Sequence, residues 1–319
     1  MMVLGAWLVG LWRVCRSAWL VPVAYLLLLV ATVPLALVLH RDLPQPATPS
    51  TIEPGAGPVP DYEWLDEATA NKRSLVGALA PDVIGVAAPF ANLDQFLEGR
   101  APLFSVLVSA AMLTAWAWLW GGVLTRLGSG TRTFFTACQQ SFSELLALSV
   151  ASVVCALVVS GILRWVLFGT VHVLADGRAE STMFTARVTA AGILVACVAL
   201  VTLIFDYARI AVVLDDVSLK AGLLRGVRTV QANTAPVLML VMLSGGALAA
   251  LLAVYAAFEF IPGGSVPSVT RIVVLGQAYV VARIVLRLWN AGAQVELYRR
   301  CASRAASASR GADLNRPTG

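Results

Sequence analysis

The chain has almost no lysine. Lys72 and Lys220 are the only two, and arginine supplies the rest of its 23 basic residues. Charge of either sign is scarce: 13% of the 319 residues are charged, against about a quarter in soluble chains. Hydrophobic residues make up 59%, and the mean hydropathy is +0.81. An ordinary soluble domain is excluded; this is the composition of a membrane protein. The few bases stand at the ends of apolar segments and form no patch, so the net charge of +5 reflects snorkelling and topology, with no nucleic-acid partner implied. Arginine in place of lysine, with abundant Ala, Val and Leu, points to a GC-rich bacterial genome.

Metal ligands, cysteine pairs and catalytic motifs are also missing. His40 and His172 are the only histidines. Both fall near the outer ends of apolar runs without a second ligand at metal spacing, and they read as interfacial. Cys15, Cys138, Cys155, Cys197 and Cys301 show no close pairing and none falls in an external loop, which argues against a structural disulfide. HExxH, the GxSxG nucleophile elbow and the P-loop are all absent, so the common hydrolase and NTPase mechanisms lack their parts. Ser160-Gly161 and His172 flank one span's outer end, and nothing there supplies an oxyanion hole. No catalytic residue, metal or cofactor is expected.

Six apolar runs are present, at about 18–39, 102–124, 144–168, 187–207, 236–260 and 267–289. At 1.5 Å per residue, about 20 residues cross a hydrocarbon core of roughly 30 Å. The expected fold class is all-α: a polytopic protein of six transmembrane helices with amphipathic interfacial helices on the cytoplasmic side. A cleaved signal peptide would have a shorter apolar region than the first run. The N-terminus, the 125–143 and 206–235 loops and the C-terminal tail hold 13 Lys and Arg, or 15 with Arg283 and Arg287; the external segments hold eight. The positive-inside rule then places both termini in the cytoplasm of a bacterial inner membrane. Membrane lipids are the expected partners, with room for another membrane protein.

Residues 40–100 form an extracytoplasmic insertion in this reading. Six prolines between Pro44 and Pro60 make an extended linker. Asp61 can cap a helix after it, and the apolar spacing of 83–97 suggests a second piece lying on the outer membrane surface. The membrane domain covers 1–301, and 302–319 is small, polar and basic, a disordered tail by composition.

The stretch Leu203–Val230 organises the rest. An apolar helix leaves the membrane, acquires Asp206 and Arg209 one turn apart, passes Asp215 and Asp216, and restarts at Ser218 as a basic amphipathic helix. Similar amphipathic segments precede the runs at 18 and 144, so a threefold repeat of interfacial helix plus membrane hairpin fits. Residue identity between the units is negligible, and amphipathic loops alone would give the same pattern. The order of GGVL at Gly121, FFTACQQSFSELLALS at Phe134, FDYARIAVVLDD at Phe205 and GLLRGVRTVQAN resembles a broad group of uncharacterised bacterial six-span membrane proteins. It is also loosely similar to the membrane domain attached to some glycerophosphodiester phosphodiesterases. The resemblance implies a six-span helical fold; no soluble phosphodiesterase domain accompanies it, so that activity does not follow.

Ionisable groups in hydrocarbon are costly and usually paired, so charges near the spans are the best functional clues. Asp206, Arg209, Arg283 and Arg287 form an expected structural cluster at the inner interface, with Asp206 joined to Arg287 or Arg283 in preference to its helical neighbour Arg209. Arg164, Glu259 and Arg271 lie near the outer ends. No acidic residue falls at mid-bilayer depth, where Gln277 is the main polar group, and this weakens a proton-coupled transporter. Trp116, Trp118 and Trp120 read as an aromatic belt. Gly245, Ala249, Ala253 and Ala257, four apart, form a helix-packing stripe, read as an internal contact before a dimer interface. Together these features favour a non-catalytic accessory, scaffold or lipid-handling protein, with a transporter or flippase as the alternative.

Overall fold

The computed structural model of the chain describes residues 2–42, 103–128, 133–175, 180–259 and 269–314. Among them every regular element is an α-helix: α1 (Met2–Arg16), α2 (Leu20–Asp42), α3 (Leu103–Leu127), α4 (Phe134–Gln140), α5 (Phe142–Ala175), α6 (Glu180–Asp215), α7 (Leu219–Ala232), α8 (Thr234–Glu259) and α9 (Val269–Leu314). Four stretches are long and apolar enough to cross a membrane: Leu107–Leu127, Phe142–Leu167, Phe184–Asp215 and Thr234–Tyr255. A fifth is added if α1 and the start of α2, bent by 77° to each other, count as one span. This is a multi-pass helical architecture. The expected sixth run lies in α9, where Gln277, Arg283, Arg287 and Asn290 dilute its apolar character.

The proline tract, the Asp61-capped segment and the 83–97 segment lie outside the described residues. The stretch from 302 differs from its expected disorder, being helical to Leu314; its alanines and arginines are strong helix formers and extend α9 without needing a core.

Contacts divide the chain into two compact units, Met1–Leu20 with Trp116–Ala250 and Val285–Gly319, and Val21–Ala115 with Leu251–Ile284. In the second unit Tyr25 donates a hydrogen bond to Gln277 Oε1 at 2.7 Å, which satisfies the polar group expected at mid-depth. Tyr255 and Tyr279 pack at 4.8 Å between ring centroids.

The first unit contains a dense base. α6 has 36 residues and α5 has 34; at 1.5 Å each they run about 50 Å, well past the roughly 30 Å of a hydrocarbon core. The surplus length of α6 packs with α1, α3, α5, α7, α8 and α9 around Leu124, Leu145, Tyr207, Ile210, Val295 and Leu297, all nearly or fully buried. A second cluster, Leu148, Phe205, Ala208 and Val212, seats α5 against α6, with Leu219 and Leu223 of α7 closing over it.

Glycine governs how closely these helices approach. In α7, Gly222 and Gly226 stand one turn apart on the buried face. A Cβ at Gly226 would lie 2.7 Å from the Ile204 carbonyl oxygen and 2.8 Å from the Ala208 nitrogen, so the two backbones touch and α7 folds back along α6. At the crossing of α1 and α9, a Cβ at Gly10 would lie 2.5 Å from the Ala293 nitrogen. The turn between α6 and α7 uses Asp216 at φ 53°, the left-handed conformation that ends many helices and that aspartate tolerates better than most side chains.

α1 has two apolar faces. Val3, Ala6, Gly10 and Val14 are buried, whereas Leu8 and Trp12 are 58% and 69% exposed. Small residues face the protein, large ones face outward. That outer face is suited to the lipid interface.

Candidate functional site

The end of α9 distributes most of the base's polar contacts. Glu296 accepts hydrogen bonds from Arg13 of α1 and, at 2.8 Å, from Arg300 one turn along. Arg13 also donates to the Leu127 carbonyl at 2.9 Å, Arg299 to the Gly128 carbonyl, and Arg300 to the Met2 carbonyl at 3.1 Å. Trp289 donates to the Trp7 carbonyl at 2.7 Å while the two rings pack at 3.9 Å. Tyr298 and Arg225 both donate to Asp215, Arg225 at 2.6 Å. One helix thus ties together α1, the end of α3 and the end of α6, whose Asp215 in turn holds α7. Burial, reinforced by the hydrogen bond to Asp215, raises the Tyr298 pKa above its ordinary value; the same Asp215 raises that of Arg225. Burial lowers Arg299 and raises the Cys138 and Cys301 thiols.

A cavity of about 230 Å³ opens beside this strut, lined by Thr202, Asp206 and Arg209 of α6, Trp120 of α3, and Arg287, Asn290 and Gln294 of α9. The sequence cluster divides here. Asp206 accepts a hydrogen bond from Arg209 at 2.7 Å, so the helical neighbour, ranked second from sequence, is the direct partner. The i,i+3 spacing brings the two together without any rearrangement. Gln294 and Arg287 also face the carboxylate across the cavity and favour its charge. The Arg287 guanidinium lies 4.3 Å from the Trp116 ring centroid and 5.6 Å from that of Trp120, distances at which the ring quadrupole attracts a cation. Arg283 belongs to the second unit.

The belt reading needs correcting for two of its three tryptophans. Trp116 and Trp120 are i,i+4 and share a face, so together they form the platform under Arg287; Trp118 turns toward Phe135, at 6.2 Å between centroids. The belt reading passed over the full helical turn that puts the outer pair on one face. The adjacent Gly121 packs against Ala137 and Gly122 against Phe134 and Cys138 of α4, so this glycine pair serves close packing.

Arg164 is half-buried on α5. The side chains of Glu259 and Arg271, and of His40 and His172, lie outside the described residues. Gly245, Ala249, Ala253 and Ala257 are all exposed, and a Cβ at Gly245 would meet nothing within 4 Å. Close glycine contacts lie instead in the base, among them Gly10, Gly222 and Gly226. No group of three or more His, Cys, Asp or Glu among the described residues could hold a metal ion. No family model, curated protein or solved structure matches the chain.

Proposed function

We propose that the protein is a non-catalytic accessory or scaffold of a bacterial inner membrane, with six spans and both termini in the cytoplasm. What supports this reading is the distribution of polar contacts around α9: the charged groups of the base join one helix to another. Glu296 is 14% exposed and engages two arginines from opposite ends of the sequence. Such pairs are costly to leave half-made and fix how helices associate. In this proposal the base is cytoplasmic, because it gathers the arginines of the inner segments, and α1 lies in the interface with Leu8 and Trp12 toward lipid. The three interfacial helices would then belong to the three-hairpin pseudo-repeat, and the likeness to the phosphodiesterase-linked membrane domain would extend to the membrane fold alone.

The test is in-cell cross-linking followed by purification of the full chain. A stoichiometric membrane-protein partner is expected with the wild type and is expected to be lost with Gly10→Leu, which separates α1 from α9. A second reading, a transporter or flippase, is favoured by the polar cavity at Asp206. If purified protein scrambled fluorescent lipids in proteoliposomes and no partner were recovered, that reading would replace the scaffold.

A further inference from the structure

The cavity around Asp206 has an imbalance of hydrogen-bonding groups that the scaffold reading leaves unused. Its charged lining comprises two guanidiniums, Arg209 and Arg287, and one carboxylate, Asp206. The carboxylate already accepts from Arg209 Nη1. Arg209 Nε, by contrast, is buried with no hydrogen-bond partner. Asn290 accepts a hydrogen bond at Oδ1 from Ser244 Oγ at 2.8 Å, an arrangement that leaves its NH₂ as the donor. Thr202 spends its hydroxyl proton on the Val198 carbonyl. The groups in surplus are N–H donors in a site with net positive charge.

A buried donor without a partner is costly, and an N–H has no use for another donor or for a cation. The species that satisfies this lining accepts hydrogen bonds only, carries negative charge, and presents oxygens in more than one direction to planar guanidinium and carboxamide donors. A cavity of about 230 Å³ has room for a group of several heavy atoms, given about 30 Å³ for each water in the liquid. It does not have room for a whole lipid. We propose that this cavity binds a phosphate-type oxyanion, either the phosphodiester of an anionic lipid headgroup or a free phosphate, through Arg209, Arg287 and Asn290. Trp120 and Trp116 hold the Arg287 guanidinium in place from one face, and the Asp206–Arg209 pair fixes Arg209. The proposal stands apart from the scaffold reading: a site can be occupied whether or not the protein recruits a partner.

The test uses the full-length protein, purified in a non-ionic detergent and stripped of lipid. Phosphatidylglycerol, phosphatidylcholine and inorganic phosphate are titrated separately, with adducts counted by native mass spectrometry. Phosphatidylglycerol is expected to bind at least about tenfold more tightly than phosphatidylcholine, whose added positive charge meets the two guanidiniums of the lining. Inorganic phosphate that binds and competes with it would identify a free oxyanion as a sufficient ligand; phosphatidylglycerol binding without phosphate binding would identify the headgroup. Asn290→Asp replaces the donating NH₂ with a second carboxylate of the same shape and is expected to weaken either ligand by about tenfold or more. Arg287→Gln, at an exposed side chain, is the second variant and is expected to act in the same direction. Equal retention of the two lipids with no phosphate binding overturns the proposal, and so does a phosphatidylglycerol preference that survives both substitutions.

Discussion

The base and the spans of the first unit are built on different terms. In the apolar stretch of α3, which ends in the base, 39% of the residues are buried within the chain; in that of α8 the share is 11%. Leu145, Leu148 and Leu297 in the base are fully enclosed, whereas Met242 of α8 and Trp165 of α5 are 73% and 82% exposed. Lipid tails are as apolar as leucine, so span surfaces gain little by burying one another. At the base, water and headgroups compete for every backbone and charged group. Helix association there has both a hydrophobic driving force and a need for polar partners. Specific structure is therefore concentrated in the base.

Glycine substitutions give the largest expected separation between the two regions. Gly226→Leu or Gly10→Leu drives a side chain into a neighbouring backbone and is expected to cost 3 kcal/mol or more, at the upper end of about 1–3 for ordinary overpacking. Gly161→Ala and Gly192→Ala, where a Cβ meets nothing within 4 Å, should instead be neutral or stabilise by up to about 1 kcal/mol through helix propensity. Thermal unfolding in detergent, followed by fluorescence-detected gel filtration, measures both. Equal loss at all four positions would break the comparison.

Core truncation comes next. Leu148→Ala at the base should cost about 2–5 kcal/mol, and Val158→Ala, 53% exposed on the same helix, under about 1 kcal/mol. Denaturant titration of both variants tests the difference.

Glu296→Gln removes the charge shared by Arg13 and Arg300 and should cost about 2 kcal/mol, the worth of hydrogen bonds to a charged group at a partly buried site. Added salt should weaken the wild type and the variant unequally, since only the wild type keeps the carboxylate.

The smallest effect concerns pH. The pKa of Tyr298 is raised in the folded state above its ordinary 10.0, so the neutral phenol is favoured by folding. Its contribution is complete below pH 10 and is lost as pH rises through the folded value. The base should loosen at alkaline pH, and Tyr298→Phe should flatten that part of the profile while weakening the base modestly at neutral pH. An unchanged alkaline limb would remove Tyr298 from the account.

Much of the local structure was legible in the sequence. Apolar length marked the four stretches long enough to cross a membrane, and the elbow at Leu203–Val230 located the α6–α7 turn. Helix rotation was not legible. Whether Asp206 meets Arg209 or Arg287, and whether Arg13 faces lipid or Glu296, depends on how each helix is turned about its axis, which one chain's residue spacing leaves open by a quarter turn or more. The Gly10–Ala293 crossing was missed for the same reason: a single small residue on each of two distant helices carries no period. In α7 a signal was available, since Gly222 and Gly226 have the same four-residue spacing as the stripe chosen in α8. What distinguished them was the neighbouring α6, not the pattern.

The strut role of α9 has a consequence for biogenesis. Among the described helices it is the last to be synthesised, yet Arg13, the Met2 carbonyl, the Leu127 and Gly128 carbonyls and Asp215 all find partners on it. Until residues 289–300 emerge from the ribosome, α5, α6 and α7 can pack on one another, but Arg13 of α1 and Asp215 at the end of α6 lack their partners on α9. A nascent chain stalled before Trp289 would carry its spans in the membrane with the joint unmade, a state that membrane proteases could tell from the finished protein by its unclosed base.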